Sequence, residues 1–282
     1  MTWFMGLSSV LKDGLKNKSF LVGALIIISI LFIVLFADVI APHSYRSIHT
    51  EDALTSPNSE YPFGTDNFGR CIFSRVMFGA RIAFKVGLVV VLIETLIGVT
   101  LGLIAGFYGN RLDKVILFIT DMTWSLPPIV MALAIVTILG PSLNNVIVAI
   151  AVVSWAQFTR IVRVKTQSIK NMPFIESAKA FGESNASIIW RYILPNVLSP
   201  IIVLSTLALP AAILATTALG FLGLGAQPPL PDWGLILRDG INYTRSAPWI
   251  SIFPGLAIVY TVLGFNLLGE GLRDLLDPRL KV

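Results

Sequence analysis

Charge and cysteine are both scarce in this chain. Its 282 residues hold 16 acidic and 21 basic side chains, so only 13% are charged. Soluble domains usually carry about a quarter. With 55% apolar residues and a mean hydropathy of +0.80, a soluble fold is excluded. The single cysteine, Cys71, rules out an intramolecular disulfide and any cysteine-based metal cluster. The two histidines, His43 and His49, sit six apart with no acidic or thiol companions at ligand spacing. They read as solvated loop residues, and no metal is expected, because a metal site needs several convergent donors. No GxxxxGK[ST] occurs, so the chain has no phosphate loop and needs no cofactor of its own. No nucleophile–base or metal constellation is present either, which argues against a membrane enzyme. The net charge of +5 is not gathered in one block. Basic residues cluster between apolar runs, which points to membrane orientation and away from nucleic acid.

What the chain has is apolar length. Six segments, roughly 20–41, 82–108, 115–139, 146–160, 195–224 and 249–268, are candidates to cross a hydrocarbon core, for which about 20 helical residues suffice. The fourth is the shortest and borrows neighbours at its ends. The runs are continuous, not alternating, which excludes barrel strands. The expectation is an all-α polytopic membrane protein with six transmembrane helices in a single domain, 1–282. Lys12, Lys16 and Lys18 precede the first run. That run exceeds the about 7–15 residues of a signal-peptide core, and Ala37-Asp38-Val39 is a poor cleavage site, so it reads as an uncleaved span. Pro127-Pro128 must break the third run, leaving two half-spans joined by irregular backbone. With a cytoplasmic N-terminus, fourteen of the 21 Lys and Arg fall inside and six outside, Lys85 lying at a boundary. This asymmetry places both termini in the cytoplasm. The long loops 42–81 and 226–248 then face outward, either as a docking surface for an external partner or as a plug.

Several constellations stand out. Gly98, Gly102 and Gly106 recur every four residues, a stripe that lets a neighbouring helix approach closely. Pro195, Pro200 and Pro210, with Gly220, Gly223 and Gly225, mark a bent fifth span that suits a gate or an irregular helix equally. Glu94 and Asp121 are the carboxylates deepest in apolar text, and Trp124 follows Asp121 by one helical turn. Such carboxylates either line a translocation path or bond to a neighbouring span. The stretch Glu176–Pro195, ESAKAFGESNASIIWRYILP, is charged yet lies between apolar runs. Pro173 suits the first turn of a helix. Ser177, Ala178 and Ala180 keep that helix thin, and Gly182 supplies the turn that ends it. Ser184 caps a second helix running to Arg191, and Pro195 marks re-entry into the membrane.

This stretch resembles the cytoplasmic "EAA" loop in the membrane subunits of ABC importers, with Ser177 where that family has Ala. The resemblance extends through Tyr61-Pro-Phe-Gly-Thr-Asp-Asn-Phe-Gly-Arg70, Ser74-Arg75, Gly79-Ala-Arg81, Phe221-Leu-Gly-Leu-Gly-Ala-Gln-Pro-Pro229, Trp233-Gly234, Ser246-Ala-Pro-Trp249 and Gly271–Arg279. These match the C-type permease subunit of dipeptide, oligopeptide and nickel importers, although Tyr61 stands where His is usual and Cys71 where Asp is usual. The resemblance implies a type I ABC importer-like permease fold in a bacterial or archaeal plasma membrane. It implies a coupling loop over 173–195, in which Glu176, Ser177, Ala178, Gly182, Leu194 and Pro195 engage an ATPase. It further implies a sister permease in a heterodimer, one or two cytoplasmic ATPases that bind the ATP and Mg, and an external solute-binding protein. Glu51, Arg70 and Arg245 are the candidate docking residues for that protein, and Glu94, Asp121 and Trp124 the candidates for the path. The solute is then a di- or oligopeptide, with nickel or a metal chelate as the alternative. A stand-alone channel or ion-coupled carrier is the rival class. It would need internal repeats or paired intramembrane charges, and it has no use for such a loop.

Overall fold

The computed structural model describes Gly14 and residues 16–276. Lys12, Arg279 and Lys281 of the charge asymmetry, and the end of the Gly271–Arg279 motif, lie outside the described residues. Within them every extended element is a helix, and the single β contact is an isolated bridge between Thr65 and Cys71.

Helix α1 (Lys18–Ile40) is capped by Asn17, whose side chain accepts from the Phe20 amide. Its last turn breaks at Phe36 (φ −103°, ψ 15°), and the guanidinium of Arg81 donates to the carbonyls of Val34 and Leu35 at that break. Helix α2 (Ile72–Tyr108) begins ten residues before the apolar text at 82, so the first connection spans 41–71. The extra turns carry Arg75 and Arg81, whose charges are paired by Asp66 and Asp38, so this part of the helix need not be apolar. At about 1.5 Å per residue its length exceeds a hydrocarbon core of about 30 Å.

The third run is two helices, α3 (Asn110–Thr123) and α4 (Pro128–Leu139), bent by 81° at residues 124–127. Pro128 has no N–H to continue the ladder, and Pro127 keeps the preceding residue out of the helical region. Helix α5 (Leu143–Lys170), capped by the Ser142 hydroxyl, runs well past the apolar stretch 146–160. Its basic end is helical because Arg160 and Arg163 are paired with Asp121 and Asp113 of α3. Helix α6 (Pro173–Ala180) is short. Helix α7 (Leu194–Phe221) continues without a break from a turn at Asn185–Ser187 through a π-helical stretch, Ile188–Ile193. The second helix of the loop therefore does not stop at Arg191, and Pro195 lies inside a continuous helix. Proline cannot donate to the residue four back, and the wider π turn just before it absorbs that missing bond. Helices α8 (Trp233–Gly240) and α9 (Trp249–Leu276) are the last among the described residues.

Helix α2 contributes to all three buried apolar clusters. Its first half packs with α1, α8 and α9, its middle with α4, α5 and α7, and its end with α5, α6 and the start of α7. The glycine stripe brings α2 close to α5. A Cβ on Gly98, Gly102 or Gly106 would lie 2.7, 2.8 and 2.7 Å from the carbonyl oxygens of Trp155, Thr159 and Arg163 respectively. Both helices repeat at four residues, so each glycine on α2 meets a carbonyl and the Cβ of Phe158, Val162 or Thr166 on α5 turn after turn. Outward, Leu25, Ile28, Leu35 and Val39 of α1 and Ile138 of α4 remain exposed, as befits a surface whose solvent is lipid.

Gly102→Leu should force α2 from α5 and cost at least the about 1–3 kcal/mol of an overpacked core. Gly255→Ala, where a Cβ meets nothing within 4 Å, should leave stability unchanged or slightly raised. Thermal unfolding of the purified variants, followed by size-exclusion chromatography, checks the contrast.

Candidate functional site

Three regions carry polar chemistry. At one end, α6 forms a capped, exposed element. Pro173 occupies its first turn, Glu176 is exposed beside the positive helix N-terminus, and the Ser177 hydroxyl donates to the Pro173 carbonyl at 3.0 Å. Ile175 and Ala178 are buried against Leu103 and Phe107 of α2 and Val162 and Ile169 of α5. The helix ends in a Schellman motif: the Gly182 amide donates to Lys179 O at 3.0 Å and the Glu183 amide to Ala178 O at 3.1 Å. Gly182 has φ +80°, a region that side chains rarely adopt. Ser184 then accepts from the Ser187 amide at 3.2 Å and caps the next turn. Leu194 and Pro195 are half-buried where α7 begins, apart from the exposed face of α6. Exposed here are Phe174 of α6 (42%), Phe181 just past its end (89%) and Trp190 of the π-helical stretch (66%). Sequence reading missed these three exposed large apolar side chains; the spacing F-x6-F-x8-W was their signal.

Between the helices lies a cavity of about 520 Å³. Its walls are Ala132 and Ile129 of α4, Ile150 and Val153 of α5, and Leu204, Leu207 and alanines of α7; Glu94, Ser154, Gln157 and Trp124 supply its polar groups. Glu94 is 3% exposed and lines the cavity together with Ser154. Asp121 is not in this cavity. It is exposed and paired with Arg160, whose guanidinium lies 5.1 Å from the Trp124 ring centroid. The structure thus separates two carboxylates that sequence reading grouped. Glu94 and Trp124 share the cavity, while Asp121 holds the arginine that packs on Trp124.

At the opposite end, the 41–71 connection is bound to α2 and α8 by buried charge. Asp66, fully buried, accepts from Arg70 Nε (2.6 Å), from Arg75, and from the Phe68 and Arg70 amides. Both arginines also reach Asp239 of α8, at 3.3 and 3.8 Å. Trp233 Nε1 donates to Val76 O and Trp249 Nε1 to Thr65 O, each at 3.0 Å. Arg70, expected among the docking residues, is instead committed to this network at 8% exposure, because its fork is spent on two carboxylates. Glu51 and Arg245 are exposed. His49 does have acidic companions: ligand atoms of His49, Glu51 and Asp52 lie within 4.8 Å of one another. Asp52, however, accepts from the Tyr61 hydroxyl at 2.8 Å, which pushes the Tyr61 phenol up to about 12. Asp232, the cap of α8, is pushed up to about 6 by burial, against the pull of its backbone amide donors.

Long apolar helices around a central cavity, with a charged cap at one end and a protruding capped helix at the other, define a polytopic membrane transport component. The chain belongs to the family of binding-protein-dependent transport system inner membrane components, whose model matches residues 98–282. Residues 9–57 match the N-terminal TM domain of oligopeptide transport permease C, so within that family it is a C-type permease subunit of an ABC importer. The chain is 49% identical over 266 residues to a dipeptide transport system permease protein of Alkalihalophilus pseudofirmus, covering 94% of this chain and 88% of that one. It is 40% identical to a di/tripeptide permease protein of Pseudomonas aeruginosa (94% and 89% covered). It is 43% identical to a glutathione transport system permease protein of Escherichia coli (92% and 86% covered).

Removing the Asp66 charge leaves two buried arginines with Asp239 alone, and breaking a buried pair costs about 3–5 kcal/mol. Asp66→Asn should therefore loosen the 41–71 connection, read as rapid proteolysis there. Glu51→Gln, at an exposed position, should leave the cleavage rate as in the wild type.

Proposed function

We propose that this chain is one half of a heterodimeric pore that imports di- or oligopeptides into the cytoplasm, driven by ATP hydrolysis in separate subunits. The observation that carries the coupling is α6: a rigidly capped helix, anchored by Ile175 and Ala178, that exposes Glu176, Phe174 and Phe181. Such an apolar knob beside a charge fits a groove on a partner protein. An ATPase docked there would move α6 and, through the continuous helix from Asn185 to Phe221, the wall of the cavity. Glu176, Ser177 and Gly182 form the contact element, while Ala178, expected among them, is buried beneath it as an anchor; Leu194 and Pro195 transmit its motion into α7. The basic asymmetry supports both termini, and hence α6, on the cytoplasmic side. The opposite face, with Glu51 and Arg245 exposed over the Asp66–Asp239 network, receives the solute-binding protein. Glu94 and Trp124 lie on the path. Peptides are favoured over nickel because the cavity is walled by aliphatic side chains and offers one carboxylate, where a metal path needs convergent donors. The names of the relatives point the same way.

Gly182→Val strains the φ +80° turn and Glu176→Lys reverses the charge at the helix N-terminus. Both variants should insert and pair with the sister subunit, yet lose most transport. The ATPase should co-purify poorly, or its hydrolysis should no longer respond to the loaded binding protein. Normal association together with normal stimulated hydrolysis in both variants would remove α6 from the coupling role.

A further inference from the structure

The cavity contains a group that coupling and docking leave unused. Glu94 lies past the middle of α2, is 97% shielded, and takes part in none of the ion pairs among the described residues. A carboxylate at such a depth is costly unless a charge or a ligand answers it. Its neighbours in the cavity are neutral: Ser154 and Gln157, one turn apart on α5, and the indole of Trp124. The facing wall on α7 is Ala208, Ala211, Ala212 and Ala215. Small side chains there leave space without adding charge or shape. A cavity of about 520 Å³ lies within the usual size of a small-molecule site, about 300–1,000 Å³.

We propose that Glu94 is the carboxylate that receives the α-ammonium group of a peptide in transit, with Ser154 and Gln157 bonding its first amide. The inference rests on the peptide reading above and makes it more specific. Peptides differ in every side chain but share a terminal ammonium, so one fixed anion against an alanine wall recognises the class while tolerating its members. The ammonium answers the buried charge, and the charge-assisted bond orients the peptide along the cavity. A single carboxylate also keeps the grip weak enough for release, since no second ion or bidentate clamp holds the ligand. The same chemistry disfavours solutes lacking a cationic amine, because they would leave Glu94 unanswered in an apolar wall.

The test uses the assembled importer in proteoliposomes: this chain, its sister permease, the ATPases and the binding protein, with labelled dialanine as solute. Glu94→Gln should lower uptake at least about tenfold, as for one lost charge-assisted bond. Glu94→Asp, which keeps the charge, should retain most of it, and co-purification of the ATPases checks assembly of both variants. A second measurement needs no variant. During turnover of the wild-type complex, dicyclohexylcarbodiimide should condense the peptide amine with the Glu94 carboxyl, the lost water leaving as the urea. The adduct is read by mass spectrometry on the Glu94-bearing fragment, and N-acetylated dialanine should give none. Wild-type uptake by Glu94→Gln, or no adduct in the wild type while dialanine is being imported, would overturn the assignment. If the wild-type complex imports no peptide at all, the peptide reading has failed and the assignment of Glu94 falls with it.

Discussion

The seam between α2 and α5 is the constraint from which the other features follow. In a bilayer, apolar side chains gain nothing by leaving lipid for one another, so helices associate through close packing. Gly98, Gly102 and Gly106 allow that packing by bringing the α2 backbone against the carbonyls of Trp155, Thr159 and Arg163. With those two helices fixed, α4 and α7 close around the space beside them, and Glu94 on α2 and Ser154 and Gln157 on α5 come to share one cavity. The same seam ends in Phe107, Val162 and Ile169, the apolar floor on which α6 rests. The cavity and α6 are thus mounted on one helix pair.

The two ends of the molecule are built on opposite physical plans. The end formed by the 41–71 connection is held by buried charge, with Asp66 between two arginines and Asp239 behind them, so it is strong only while every partner is present. At the other end α6 is held by a few apolar contacts and a backbone cap, and it leaves its large side chains exposed. A firm cap suits a surface that must keep its shape while a partner comes and goes. A lightly held helix with exposed aromatics suits a part that moves with its partner. The continuous helix from Asn185 through α7 joins the two plans, because it runs from the Ser184 cap to the alanine wall of the cavity.

Much of this was legible in the sequence where a local rule applies. The Pro127-Pro128 break, the glycine stripe, the Gly182 turn and the Ser184 cap each depend on the chemistry of one or two residues, and each is present. What hydropathy could not show was helix carried by paired charge. Ile72–Arg81 and Arg160–Lys170 read as polar flanks, yet both are helical because Asp66, Asp38, Asp113 and Asp121 neutralise their arginines from other elements. The same long-range pairing buried Arg70 and drew Asp121 away from the cavity. Pro195 misled for a different reason: a π turn accommodates it without ending the helix. The acidic companions of His49 were two and three residues away in sequence, and only the short helical turn at 50–52 brings them round.

The central claim is that the chain is a pore half that does nothing alone. Reconstitution of the pure chain in liposomes, beside the same chain with its sister permease, ATPases and binding protein, tests this most directly. The account predicts peptide uptake only in the full assembly, and only with ATP and the loaded binding protein. Uptake by the chain alone, or by the full assembly without ATP, would contradict it and revive the stand-alone carrier.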